Sequence, residues 1–196
     1  MIKNSAILNY EYQNYGNIPE KIQTEVKNGR LIKIKRGFYV TSDTTNPFTI
    51  ANSIVSPSYI SFETALAYYS LIPERVYLIK SATFKKNKTK SFKTPIGSFY
   101  YQDIYEKAYP YGIDTISMDG VNVSIASPEK AILDMLSVIS PRDSVKEVKD
   151  LLFDDLRINE ILFDELDKNK MIELSKFYVS KTIKYLVSYL EDNNDK

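Results

Sequence analysis

The sequence predicts an α+β fold in two parts: a short N-terminal unit, residues 1–42, and a larger mixed α/β domain, residues 46–196, that becomes wholly helical over 143–191. Three observations predict it. Helix signals give way to a basic alternating hairpin before residue 42. Alternating runs and capped helices mix from residue 47 to about 140. From Asp143 to Glu191 only helical patterning remains. With 196 residues and 43% hydrophobic content the chain resembles an ordinary globular protein. At that size roughly 70% of the unfolded surface can be buried without a disulfide or a metal.

In the first unit, residues 4–14 predict a helix whose apolar face is Ala6, Ile7 and Tyr10. Tyr15-Gly16-Asn17 marks a turn. Asn17 then caps a second helix: Pro19 suits the first turn, Glu20 stands at capping-box spacing, and Gly29 fits the position that ends it. Ile18, Ile22 and Val26 recur every four residues and predict a buried stripe. Gln23, Thr24 and Lys27 face away from that stripe, with Lys21 and Asn28 at its edges. Next, Ile32 and Ile34 alternate with Lys33 and Lys35, Arg36-Gly37 turns the chain, and Phe38-Tyr39-Val40 pairs back. The expected packing sets the apolar face of this hairpin on the two helices and presents Lys33, Lys35 and Arg36 to solvent. A polar-faced helix followed by a basic hairpin is the plan of a winged helix, in which the helix enters the major groove and the wing follows phosphates. The candidate DNA-binding residues are therefore Lys21, Gln23, Thr24, Lys27, Asn28, Lys33, Lys35 and Arg36.

The second domain opens with Asn46-Pro47, which starts a helix to about Ile54, after the polar connector 41–46. This connector predicts that residues 46–196 fold alone. Tyr59-Ile60 is a short extended piece, and Ser61 is expected to cap a helix over 62–69. Residues 76–84 and 98–104 read as strands, and the basic stretch between them reads as a loop. There Lys85, Lys86, Lys88, Lys90 and Lys93 form a possible second phosphate-contacting patch or a solvated hairpin tip. Residues 113–118 and 121–126 flank Asp119-Gly120, a strong hairpin signal. Ser127-Pro128-Glu129 starts a helix with Ala131, Ile132, Met135, Leu136 and Ile139 on its apolar face. The later helices break near 154–159 and 167–170, and residues 192–196 read as a frayed tail.

Charge divides with the chain. Residues 1–100 carry 14 Lys/Arg and 6 Asp/Glu, and residues 101–196 carry 12 and 19. A basic first half favours a polyanionic partner. Cysteine and histidine are absent and only 6 glycines occur. The absences exclude thiol nucleophiles, imidazole bases and zinc fingers, and none of the glycines is arranged as G-x-G-x-x-G or G-x-x-x-x-G-K, so a glycine-rich phosphate loop is absent. The acidic clusters Asp154-Asp155, Asp164-Glu165-Asp167 and Glu191-Asp192 read as solvated helix faces. No group beside them would hold a phosphate or polarise a bond. The chain is expected to be non-enzymatic, with no metal and no cofactor. The N-terminus lacks a signal-peptide pattern, and the longest uncharged segment, 44–62, is interrupted by Pro47 and Pro57. A cytoplasmic protein without membrane contact is expected.

Four segments then carry a resemblance. They are Gly29-Arg30-Leu31-Ile32-Lys33-Ile34-Lys35-Arg36-Gly37-Phe38-Tyr39, Pro57-Ser58-Tyr59-Ile60-Ser61-Phe62-Glu63-Thr64-Ala65-Leu66, Thr94-Pro95-Ile96-Gly97-Ser98-Phe99 and Ala126-Ser127-Pro128-Glu129-Lys130-Ala131-Ile132-Leu133-Asp134. In this order and spacing, over roughly residues 15–140, the chain resembles the AbiEi-type antitoxin and transcriptional regulator family. The resemblance implies an N-terminal winged helix, a C-terminal antitoxin domain and repression of its own operon at inverted repeats. It also implies a cognate AbiEii-like nucleotidyltransferase toxin, opposed without need of a stable complex (the type IV arrangement, associated with abortive infection and phage defence). The sequence departs from the family in its shortened N-terminal helices. The runner-up expectation is a stand-alone transcriptional regulator whose second domain senses a ligand or partner. An uncharacterised enzyme using Lys or carboxylates is third.

Overall fold

The structure, a computed structural model, describes residues 1–194. Its first unit runs β1 (Ile2–Asn4), α1 (Ser5–Glu11), α2 (Ile18–Lys27), β2 (Ile32–Lys35) and β3 (Phe38–Val40). The strands form an antiparallel sheet in the order β1-β3-β2. Strand β1 departs from the expected pattern: three residues carry no readable alternation, and its partner β3 lies far away in sequence. It fixes where the first helix starts. Asn4 ends the strand and caps α1 by accepting from the Ile7 amide. The helix therefore begins at Ser5 and turns Leu8 inward, while Ala6, Ile7 and Tyr10, the expected apolar face, are exposed. For α2 the local signals hold. Asn17 and Glu20 form a reciprocal capping pair, and Gly29 follows the helix at φ 71°.

The hairpin departs from expectation in its packing. Ile34, Phe38 and Val40 are buried in one continuous cluster with Ile50, Ile54, Tyr59 and the rest of the main core, and Ile32 packs against it. The apolar face of the sheet thus lies on the second unit, not on α1 and α2. Each such side chain stabilises by about 1.5–3 kcal/mol on burial, so the hairpin is bound firmly to the second unit. The hydrophobic core crosses the boundary expected near residue 42.

The second unit runs α3 (Pro47–Ile54), β4 (Tyr59–Ile60), α4 (Phe62–Tyr68), β5 (Leu78–Thr83), β6 (Lys90–Lys93), β7 (Ser98–Asp103), β8 (Ile113–Met118), β9 (Val121–Ala126) and α5 (Pro128–Val138). Helix α6 (Val145–Asp150) continues into a π-helical turn, Leu151–Asp155, and is followed by α7 (Glu160–Asp164), α8 (Lys168–Ser175) and α9 (Lys181–Asn194). The six strands form a mixed sheet in the order β6-β7-β5-β4-β9-β8. The fold is α+β, as the patterning predicts. Asp119 and Gly120 both take positive φ between β8 and β9, as their dipeptide requires. Part of the expected basic loop, Lys90–Lys93, is instead an edge strand paired with β7. Helix α9 extends through Asn194, so 192–194 are helical, and the remainder of the expected frayed tail, 195–196, lies outside the described residues. Among the described residues no helix is long and apolar enough to cross a membrane.

Candidate nucleic-acid interface

An open cleft of about 680 Å³ lies between α1, α2 and the outer face of the hairpin. Its lining combines the half-buried apolar side chains Ile22, Val26 and Tyr39 and the exposed Pro19 with the exposed polar side chains Gln23, Lys27, Lys33 and Arg36. Ile22 and Val26, expected to be buried, are only half-buried because the sheet turns its apolar face the other way. What faces α2 is the alternate set of the ladder, with Lys33 opposite Tyr39. The cleft closes at Gly37, where φ is 72° and an added Cβ would stand 2.7 Å from Ser5 Oγ. The Ser5 amide also donates to the Gly37 carbonyl at 3.1 Å, so the hairpin tip rests on the start of α1. Glycine is favoured there by the left-handed φ and by the closeness of Ser5.

The eight candidate residues separate into three groups. Gln23, Lys27, Lys33 and Arg36 converge on the cleft. Among the described residues none of these three cations has an ion-pair partner, and no carboxylate lines the cleft. Thr24 and Asn28 are exposed on α2 outside it, and the Thr24 hydroxyl is turned back to the Glu20 carbonyl at 3.0 Å. Lys21 and Lys35 are engaged elsewhere. Lys21 pairs with Glu25 at 2.8 Å, and its ammonium lies 4.6 Å from the Tyr15 ring centre. Hydrogen bonding to Glu25 holds the Lys21 ammonium above the ordinary lysine range, and the same contact holds Glu25 below the usual carboxylate range.

Lys35 corrects the expected wing face. The ladder register shifts between Lys33 and Lys35, a bulge that re-aims the strand. Lys35 Nζ donates to the Ile54 carbonyl at the end of α3. Burial, with a smaller contribution from the nearby Lys90 charge, pushes the Lys35 ammonium below the ordinary lysine range. Lys35 therefore joins the two units and is half-buried, not displayed on the wing.

The second basic patch is also divided. Asp103 fixes the loop by accepting the Lys86 and Asn87 amides at 2.7 and 2.8 Å and the Thr83 hydroxyl at 2.6 Å. Lys85 pairs with Glu106, and Lys86 Nζ donates to the Ser56 carbonyl. Lys90 is half-buried on β6, while Lys88 and Lys93 are exposed. Among the described residues Lys88, Lys90 and Lys93 form no ion pair, and Lys88 and Lys93 are the exposed ones of the three. The patterning missed Ser5, Asn9, Pro19, Ile22, Val26 and Tyr39 as cleft-lining residues. Nothing local marks them, because which sheet face α2 meets is decided by the second unit.

A different polar constellation lies in the core. Lys130 and Asp134, one turn apart on α5, are fully buried and paired at 2.9 Å. Lys130 Nζ also donates to the Ala108 carbonyl. The Asp134 carboxylate accepts from the hydroxyls of Tyr59 (2.8 Å), Ser61 (2.7 Å) and Tyr178 (2.6 Å). Ser61 is thus drawn away from its expected cap and makes no side-chain cap bond to α4. Beside it, Glu129 accepts from Ser127 (2.7 Å) and pairs with Lys170 (2.8 Å). Two of the four segments that carry the sequence resemblance, 57–66 and 126–134, therefore meet at one sealed network. Burial lowers the Lys130 affinity for its proton against the opposing pull of Asp134. Burial raises the Tyr59 and Tyr178 phenols well above their ordinary values. Every polar atom named has a partner, and the network anchors α5 to β4, to the turn at Ala108 and to the segment before α9.

No protein-family model matches the sequence, and no curated protein matches it. Among solved structures the chain is similar to the crystal structure of the RV2827C protein from Mycobacterium tuberculosis. The likeness has a TM-score of 0.57 at 11% identity and covers 98% of this chain and 71% of that one. At that identity the likeness concerns the fold alone.

Proposed function

We propose that this protein is a DNA-binding antitoxin that represses its own operon. In this reading the first unit is a winged helix reduced to two helices. Helix α2 reads bases with Gln23, Thr24 and Asn28, Lys27 reaches base edges or phosphate, and Lys33 and Arg36 grip phosphates from the hairpin. The observation that carries it is the convergence of Gln23, Lys27, Lys33 and Arg36 on one surface that no carboxylate neutralises. The antitoxin role rests on the resemblance of four segments to the AbiEi-type family. The partners in that role are operator inverted repeats and a nucleotidyltransferase toxin, and the location is the cytoplasm. Lys88 and Lys93 serve as secondary phosphate contacts.

Titration of the upstream intergenic duplex at several salt concentrations tests the DNA role. Replacing Lys33 and Arg36 with alanine should flatten the salt dependence by about 0.9 log units per lost phosphate contact, whereas Lys35→Ala should leave the slope unchanged. An unchanged slope in the double variant removes the hairpin from the interface. Replacing Gln23 should cost about 1–3 kcal/mol on the operator and little on random duplex. Co-expression with the neighbouring gene tests the antitoxin role. Operator binding without relief of growth arrest would select the stand-alone regulator instead.

A further inference from the structure

The cleft has a complement on the opposite half of the same chain. Helix α7 (Glu160–Asp164) exposes Ile161 at 72% of its surface. Singly exposed apolar side chains are ordinary on a protein surface, and Val179 and Tyr10 are as open. What distinguishes Ile161 is the set of carboxylates around it, and covering it against a partner would stabilise by about 1.5–3 kcal/mol. Asp164 and Glu165 stand three and four residues on, on the same side of the helix as Ile161, and Glu160 precedes it. All three acids are exposed, and among the described residues none of them forms an ion pair. The corner is therefore an aliphatic tip set among unpaired carboxylates. The cleft is the converse: an apolar lining of Pro19, Ile22, Val26 and Tyr39 beside the cations Lys27, Lys33 and Arg36, none of which forms an ion pair among the described residues. Helix α7 does not line the cleft of its own chain.

We propose that the α7 corner of one copy docks in the N-terminal cleft of a second copy, with Ile161 on the apolar lining and Glu160, Asp164 and Glu165 against Lys27, Lys33 and Arg36. An apolar anchor in a pocket supplies the affinity, and the surrounding opposite charges supply register and encounter rate. The contact is between unlike surfaces, so it closes into a dimer only where a two-fold axis repeats it reciprocally. If the DNA reading holds, the contact also uses the cations that hold phosphate. Self-association and duplex binding then exclude one another, and the α7 corner acts as a protein mimic of the phosphate backbone.

Sedimentation velocity of the full chain over a concentration series, without DNA, tests the self-contact. Association should be about tenfold tighter at about 0.05 M than at about 0.5 M salt. Ile161→Glu should abolish it while leaving the fold unchanged, since the side chain lies in solvent. Arg36→Glu and Glu165→Lys should each be monomeric alone and associate when mixed. A wild-type chain that stays monomeric at low salt, or an Ile161→Glu variant that associates like wild type, overturns the proposal. Adding duplex to the associated protein separates the two readings. Dissociation supports competition for one surface. Duplex bound to an intact assembly overturns the DNA reading and leaves the self-contact standing.

Discussion

Lys130 and Lys33 show two opposite uses of the same side chain. In the second unit, Lys130 is sealed with a carboxylate, a carbonyl and a tyrosine hydroxyl around it. In the first unit, Lys33 stands exposed on a cleft whose lining holds no carboxylate among the described residues. Both lie in segments that carry the sequence resemblance, so the motifs themselves do not distinguish a structural charge from a ligand-facing one. The partners supplied by the fold do. Breaking one half of the buried pair is the largest way to sharpen the contrast. Asp134→Asn removes the counter-charge from Lys130 and should cost about 3–5 kcal/mol, because an uncompensated buried charge remains. Lys33→Ala should lie within about 0.5 kcal/mol of wild type. Urea unfolding of both variants measures the difference, and similar midpoints would remove the distinction.

A second contrast concerns which part of the first unit is bound to the core. Phe38 is in the main cluster, whereas Ile22 is half-exposed over the cleft. Phe38→Ala should cost about 3–5 kcal/mol, as for a fully enclosed aromatic. Ile22→Ala should cost well under half as much, because solvent already reaches the site. The same geometry bears on a fragment starting at Asn46. Its connector predicts independence, but the fragment would expose the surface that Ile34, Phe38 and Val40 cover. It should melt below the full chain. An equal melting temperature would restore the boundary near residue 42.

The residues show why some of this was legible and some was not. The bounds of α2, the β8–β9 turn and the start of α5 rest on local chemistry: Asn17 with Glu20, Asp119 with Gly120, Ser127 with Pro128. Such signals act over three or four residues and can be read in place. Strand β1, edge strand β6, the direction of Lys35 and the burial of Lys130 depend on partners far along the chain. Ile2 pairs with Val40, Lys90 with Tyr101, Lys35 meets Ile54, and Lys130 meets Tyr178. A single bulge at Ile34 was enough to reverse the expected face of Lys35. For the candidate site, the sequence supplies which side chains are polar on α2 and basic on the hairpin. It does not supply which face of the sheet α2 meets, and that choice makes the cleft.

The smallest expected effect is one of pH, and it compares two buried glutamates. Glu25 in α2 is held below its ordinary range first by the hydrogen bond from Lys21 and then, against burial, by Arg30. Glu129 in α5 is pushed up by burial, but the bonds from Lys170 and Ser127 overcome this and leave it low. A carboxylate whose folded pKa is depressed contributes stability that is present above its unfolded value, 4.5 here, and is lost as pH falls through the lower folded value. Both groups therefore weaken the fold on acidification, in the same window. The consequence differs with location. The Glu25 carboxylate also ties the end of α2, since it pairs with Lys21 at 2.8 Å and with Arg30 at 3.2 Å, and the apolar stripe of that helix is only half-buried. Its protonation should loosen α2 locally. Glu129 sits in the core, where the main cluster still holds α5. Amide exchange followed from about pH 6 down to about pH 3.5 should show α2 losing protection before α5. Glu25→Gln should remove the pH dependence of α2 and leave that of α5. If α2 and α5 lose protection together, the two units open as one, and the weak attachment of α2 inferred from its half-exposed stripe is wrong.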